Sequence, residues 1–82
     1  MPSAVNPVAL VEHIAKVLVD KPDEVFVEPF DENGEIVIEL EVAESDVGKV
    51  IGRQGRTARS LRTILSAATA RSRKRHTLEI VE

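Results

Sequence analysis

Eight consecutive residues, Glu35 to Val42, alternate without interruption: Ile36, Ile38, Leu40 and Val42 on one side, Glu35, Val37, Glu39 and Glu41 on the other. Successive side chains of a strand point to opposite faces, so this pattern demands a sheet with one buried face and one largely wet face. Asn33-Gly34 stands just before it, the strongest short hairpin signal a sequence can carry. The β-forming run Val25 to Phe30 then becomes the partner strand, with Asp31 to Gly34 as the turn.

The cover for the buried face comes from helical patterns on either side. Asn6-Pro7 reads as an N-cap followed by proline at the first helical position, and the helix should run to about Asp20. Leu10, Val11, Ile14, Val17 and Leu18 share one side of it, and Lys21-Pro22 ends it. Beyond the hairpin, Ser45 is placed to cap a short helix from Asp46 to Ile51 that turns Val47, Val50 and Ile51 inward. Gly52 to Gly55 breaks that helix. A longer one follows from Arg56 to Ala70, with Ala58, Leu61, Ile64, Leu65 and Ala68 inward and Arg56, Arg59, Arg62 and Thr63 outside. Arg71 to Arg75 is a basic connection, and the alternation from His76 to Val81 predicts a third strand. The order α-β-β-α-α-β predicts an α+β domain over residues 1–82, an antiparallel three-stranded sheet with three helices packed on one face.

Charge is divided sharply along the chain. From Met1 to Val47 two lysines stand against twelve acidic residues, whereas Gly48 to Arg75 holds nine bases and no acid. The formal net charge of −3 conceals this basic segment. A polyanion partner is the reading that fits, since no acid is interleaved to neutralise the arginines locally. The plainer alternative is a solvated helix face whose arginines pair with the acids of the sheet. Eighty-two residues suffice for one modest core. Without cysteine there is no disulfide frame, thiolate metal site or thiol nucleophile. Met1 is followed by Pro2, Ser3 and a short helical pattern rather than a charged start and an apolar run, so no signal peptide is expected. Nothing approaches the roughly 20 apolar residues of a membrane span. A cytoplasmic protein is expected.

Two glycines three residues apart, Gly52 and Gly55, lie at the centre of the basic segment. Glycine lets the backbone turn where other residues resist, and lets a ligand approach closely. The helix that starts there offers unpaired N–H groups and partial positive charge, which favour an anion, and Arg53 and Arg56 add full charges. An enzyme is not expected. Gly55 is followed by Arg56-Thr57 rather than by the lysine of a nucleotide-hydrolysing loop, and His13 and His76 belong to no acid–base or metal constellation. No cofactor, metal or small-molecule substrate is implied.

The run Asp46-Val47-Gly48-Lys49-Val50-Ile51-Gly52-Arg53-Gln54-Gly55-Arg56-Thr57-Ala58-Arg59, followed by Leu61-Arg62-Thr63, resembles the signature of KH domains. The element order matches the type II arrangement, and the whole chain is similar to the small bacterial single-KH proteins of the KhpA family. That resemblance implies a sequence-tolerant RNA-binding protein, a possible RNA chaperone or post-transcriptional regulator. It also implies a homodimer, or a heterodimer with a larger KhpB-like KH protein.

In KH modules the G-x-x-G loop clamps the backbone of about four nucleotides. Mapped onto this chain, Gly52 and Gly55 admit the sugar–phosphate backbone, while Arg53 and Gln54 point outward. Lys49 and Arg56 flank the path, and Arg59 extends it. Val50, Ile51 and the apolar side of the strand from Ile36 to Val42 supply an aliphatic groove for bases. With no Trp or Tyr, and with Phe26 and Phe30 away from the loop, backbone electrostatics rather than stacking should supply affinity. Two rivals share parts of this pattern. A helix-turn-helix would send the arginine-rich helix into duplex DNA, though it leaves the two preceding strands unexplained. A protein-interaction module acting through dimerisation would use the surplus of Leu61, Ile64, Leu65 and Ala68.

Overall fold

A computed structural model describes residues 6–82. The signal-peptide reading rests on residues 1–5 and lies outside them. Helix α1, Pro7–Leu18, begins as expected: Asn6 Oδ1 accepts from the amides of Val8 at 3.0 Å and Ala9 at 3.2 Å, which satisfies two of the open donors of the first turn. Its buried residues are Val11 and Ala15. The apolar side predicted for this helix is too wide, because Val17 is 72% exposed and Leu18 stands at the surface. Ala15 is the residue the pattern omitted, and its small side chain sits wholly inside the core. Helix α1 stops at Leu18, short of Asp20, and the extended backbone of Val19 turns that side chain inward.

Strands β1, Phe26–Glu32, and β2, Glu35–Glu41, form the predicted hairpin. Asn33 and Gly34 take φ of 56° and 83°, the pair of positive values that a two-residue hairpin turn requires. Strand β2 is followed by a 3-10 turn over Glu44–Asp46, helix α2, Val47–Ile51, and a second 3-10 turn at Arg53–Gly55. Helix α3, Arg56–Ala68, and strand β3, Arg75–Ile80, complete the chain. Ser45 does not cap α2: the 3-10 turn occupies its position, and Asp46 is the residue at the helix start.

The sheet order is β1-β2-β3 with β2 central. Strand β3 pairs parallel to β2, from Glu35 beside Arg75 to Leu40 beside Ile80, so the predicted all-antiparallel sheet is corrected to a mixed one. The reason is the connection. Two helices carry the chain back across one face of the sheet, and such a crossover delivers the next strand in the same direction as the one it left. Ile38 and Leu40 of β2 and Leu78 of β3 meet Val11, Ala15, Val50, Leu61 and Leu65 in one cluster, which places the core between the sheet and the helices. Of the predicted inward stripe of α3, Ala58, Leu61 and Leu65 are buried, whereas Ile64 is 43% exposed.

Candidate nucleic-acid interface

The glycine loop owes its shape to three positive φ angles in four residues. Gly52 adopts φ 77° and ψ 169°, Gln54 φ 58° and ψ 24°, and Gly55 φ 74° and ψ 15°. The amide of Gly52 closes α2 on the carbonyl of Gly48 at 2.8 Å, and the amide of Gly55 returns to the carbonyl of Gly52 at 3.1 Å. The two glycines are required for different reasons. A Cβ on Gly52 would lie 2.2 Å from Thr57 Oγ1 and 2.8 Å from the Thr57 amide nitrogen, so the start of α3 packs directly against it. A Cβ on Gly55 would meet nothing within 4 Å. Gly55 is thus a conformational glycine with open space above it. It is also the N-cap of α3 and brings no side chain to cap the helix; the Arg56 amide returns to the Arg53 carbonyl, and the amides that follow have no side-chain cap.

Arg53 and Gln54 project from the loop as exposed side chains, and Arg56 and Arg59 are exposed along the first turns of α3. Among the described residues, ion pairs join Lys16 to Glu12, Lys49 to Asp20 and Asp46, and Lys74 to Asp31. No arginine takes part in any of them. The acids of the sheet therefore do not pair with the arginines of α3, which leaves the pairing part of the plainer reading without support; Glu82 is the acid that shares a cleft with Arg59 and Arg62. Lys49 differs from its neighbours: its ammonium lies 3.3 Å from Asp20 and 3.7 Å from Asp46, so part of its charge is already answered within the chain.

Val50 and Ile51 separate. Val50 is completely buried and belongs to the core, so its predicted place in a nucleic-acid groove is corrected. Ile51 is half-buried and lines a cleft of about 490 Å³ together with Gly55, Ala58, Arg59, Arg62, Ile80 and one acid, Glu82. The predicted groove wall from Ile36 to Val42 is corrected as well, because the central strand turns Ile38 and Leu40 entirely inside. A second cleft of about 580 Å³ continues from the same Arg62 past Leu65 and Thr69 to Arg73 and Arg75. The clefts are lined instead by residues of edge strand β3, Leu78 in one and Ile80 in the other. The two form a track between α3 and β3, from the glycine loop to the basic connection, floored by aliphatic side chains and edged by arginines.

Asp46 was not singled out by the sequence, yet it fixes the base of this site. It is buried, and its carboxylate accepts from the amides of Asp20 at 3.2 Å and Lys21 at 3.0 Å, tying the end of α1 to the start of α2. An acid just ahead of a short helix was the available signal. At the far end of the track Lys74 donates to Asp31 on the hairpin. That hydrogen bond and the ammonium charge hold the Asp31 carboxyl below its ordinary value of 3.8. The link fixes the basic connection against the sheet.

Comparison with known proteins agrees with this geometry. The family model of the KhpA/KhpB KH domain matches residues 8–80. The chain is 47% identical over 77 residues to the RNA-binding protein KhpA of Borreliella burgdorferi, an alignment covering 94% of each. It is 49% identical over 73 residues to the KhpA of Halalkalibacterium halodurans, covering 89% of this chain and 96% of that one. With the KhpA of Clostridium acetobutylicum it shares 50% identity over 72 residues, covering 88% and 96%. No solved structure matches the chain. With its glycine loop, its two-helix crossover and nearly its full length matched, the chain belongs to the KhpA/KhpB KH-domain family.

Proposed function

We propose that this protein binds single-stranded RNA by its sugar–phosphate backbone, with little sequence preference, and that it is a binding protein rather than an enzyme. The observation that carries the reading is the open space at Gly55, where a helix start without a side-chain cap and arginines free of internal ion pairs stand at the mouth of an aliphatic track. Relatives sharing about half of the sequence are named RNA-binding proteins, which supports RNA over other polyanions. In this reading Gly52 and Gly55 shape the loop, and Arg53, Arg56 and Arg59 contact phosphates. Gln54 donates or accepts a hydrogen bond, Ile51 lies under a base, and Lys49 contributes a partial charge. Phe26 and Phe30 lie on β1, across the sheet from the track, so base stacking on aromatics plays no part. As an RNA-binding protein it would act in the cytoplasm, as a chaperone or post-transcriptional regulator.

A clamp on roughly four phosphates releases about 0.7 counterion per phosphate, so affinity should fall about 50-fold between about 50 and 200 mM salt. Fluorescence anisotropy with a short labelled RNA measures this, and affinity indifferent to salt would sink the proposal. Arg53→Asp combined with Gln54→Asp should abolish binding without altering the circular dichroism, since both side chains are exposed. Duplex DNA outcompeting single-stranded RNA in the same assay would instead favour the helix-turn-helix reading. Pairing, with a second copy or a KhpB-like partner, has its own support in the exposed Val17 and Ile64. Sedimentation across a concentration series, alone and with that partner, tests it.

A further inference from the structure

The side of the sheet turned away from the helices carries a feature that RNA binding leaves unused. Alternation along the strands directs Phe26, Glu28, Phe30 and Glu32 of β1 to that face, with Glu35, Val37, Glu39 and Glu41 of β2 and Arg75, Thr77 and Glu79 of β3. The register sets Glu28 opposite Glu39, and Glu39 opposite Glu79, so one row across all three strands consists of carboxylates. Directly opposed like charges on a sheet are destabilising. Among the described residues none of these glutamates forms an ion pair, the single cation in register with them is Arg75, beside Glu35 at the hairpin end, and no helix covers this face. On either side of Glu28 along β1 stand Phe26, 60% exposed, and Phe30, 40% exposed. A solvated acidic surface needs no aromatics, and an apolar docking patch needs no self-repelling row of acids.

We propose that this face docks an arginine-rich segment of a partner protein. Guanidinium groups meet both halves of the surface: they fork onto carboxylates and stack on aromatic rings. Each bound arginine also relieves the repulsion between neighbouring glutamates. Nucleic acid is excluded by the sign of the charge. A metal ion is not the occupant either, since no three of the described carboxylates or histidines are grouped to hold one. The face lies across the sheet from the track between α3 and β3, so RNA and the basic segment can be held together.

The test uses the isotope-labelled full chain and two synthetic peptides, one alternating arginine with serine and one alternating lysine with serine. The expected result is saturable amide shifts at Phe26–Phe30, Val37–Glu41 and Thr77–Glu79, with the arginine peptide about threefold tighter than the lysine peptide. Glu28→Gln, Glu39→Gln and Glu79→Gln together should weaken it about tenfold or more, and Phe26→Ala with Phe30→Ala should erase the preference for arginine. The glutamine variant removes repulsion, so it should melt no lower than the parent and bind RNA at least as tightly, which separates lost docking from lost folding. Shifts that scatter over all acidic residues without saturating would overturn the proposal, as would undiminished binding by the glutamine variant. Concentration-dependent shifts of the same residues without peptide would also overturn it, by assigning the face to a second copy. Failure of RNA binding would leave this result untouched, since the peptide titration contains no RNA.

Discussion

Replacing Gly52 by alanine should cost this fold far more than the same change at Gly55, although both belong to one four-residue motif. At Gly55, φ 74° and ψ 15° lie in the left-handed helical region, with open space where the methyl would go. An L-residue there costs about 1–2 kcal/mol, partly offset by the narrower unfolded ensemble of alanine. At Gly52, φ 77° and ψ 169° lie in a region essentially reserved for glycine, at a cost of about 1–3 kcal/mol. The new methyl would also lie 2.2, 2.7 and 2.8 Å from Thr57 Oγ1, Cβ and N. A rotamer change moves Oγ1 away, but Cβ and the backbone nitrogen can yield only if the start of α3 shifts. Overpacking of that kind costs about 1–3 kcal/mol more. The sum, about 2–6 kcal/mol, is a large part of the roughly 4–12 kcal/mol that a chain of this length commands. Urea denaturation of the two variants measures the difference from the midpoints and slopes. Equal destabilisation within about 0.5 kcal/mol would refute the reasoning, because the packing of Gly52 on Thr57 would then carry no energy. Rescue of Gly52→Ala by Thr57→Ala would refute it too, since that change leaves the Cβ and nitrogen contacts in place.

Asp46→Ala strands the amides of Asp20 and Lys21 and leaves Lys49 with one acid instead of two. A loss of about 2–4 kcal/mol is expected in the same denaturation assay, with Asp46→Asn costing less because one acceptor oxygen remains. A loss under about 0.5 kcal/mol would show that α1 and α2 hold together without this link. At the hairpin, the Lys74 hydrogen bond and charge lower the Asp31 carboxyl in the folded chain, so the unfolded chain takes up the proton more readily. The resulting stability is whole above the ordinary value of 3.8 and fades as pH falls through the lowered folded value. Melting temperatures of the parent and of Lys74→Met, followed from about pH 5 down to about pH 2, should therefore converge at the acid end. A gap that stays constant with pH would assign the effect of Lys74 to packing.

The local elements were legible because each rests on a pattern read within a few residues. Asn33-Gly34 with its alternating strand, Asn6 ahead of Pro7, and Gly52 to Gly55 between two helical runs each allow one backbone path. What escaped depends on the third dimension. The direction of β3 is decided by how two helices cross the sheet, and nothing in His76 to Val81 records it. The groove wall was expected on β2, where Ile38 and Leu40 are needed for the core. Val50 and Ile51 look alike in a helix of five residues, since so short an element shows no reliable periodicity; packing alone sends one inside and leaves the other at the cleft. The tie made by Asp46 drew no notice in the sequence because its two partners lie 25 and 26 residues away.

The mixed sheet also explains how a chain of net charge −3 can present a site for a polyanion. All nine bases of the segment from Gly48 to Arg75 lie on the single crossover from β2 to β3 or at its entry into β3. A crossover must pass over one face of the sheet, so its positive charge gathers on that side, while the alternation of β1 and β2 sends their glutamates to the other. The molecule measures 35 × 29 × 21 Å along its principal axes, and screening at physiological salt acts over about 8 Å. The outward glutamates of β1 and β2 lie across the sheet from most of the basic track, and the acids that approach it are few: Glu82 in the cleft with Arg59 and Arg62, Asp20 and Asp46 at Lys49, and Asp31 at Lys74. An approaching strand of phosphates therefore responds to the arginines near it and only weakly to the net charge. Topology, rather than composition, makes the track between α3 and β3 attractive to an anion.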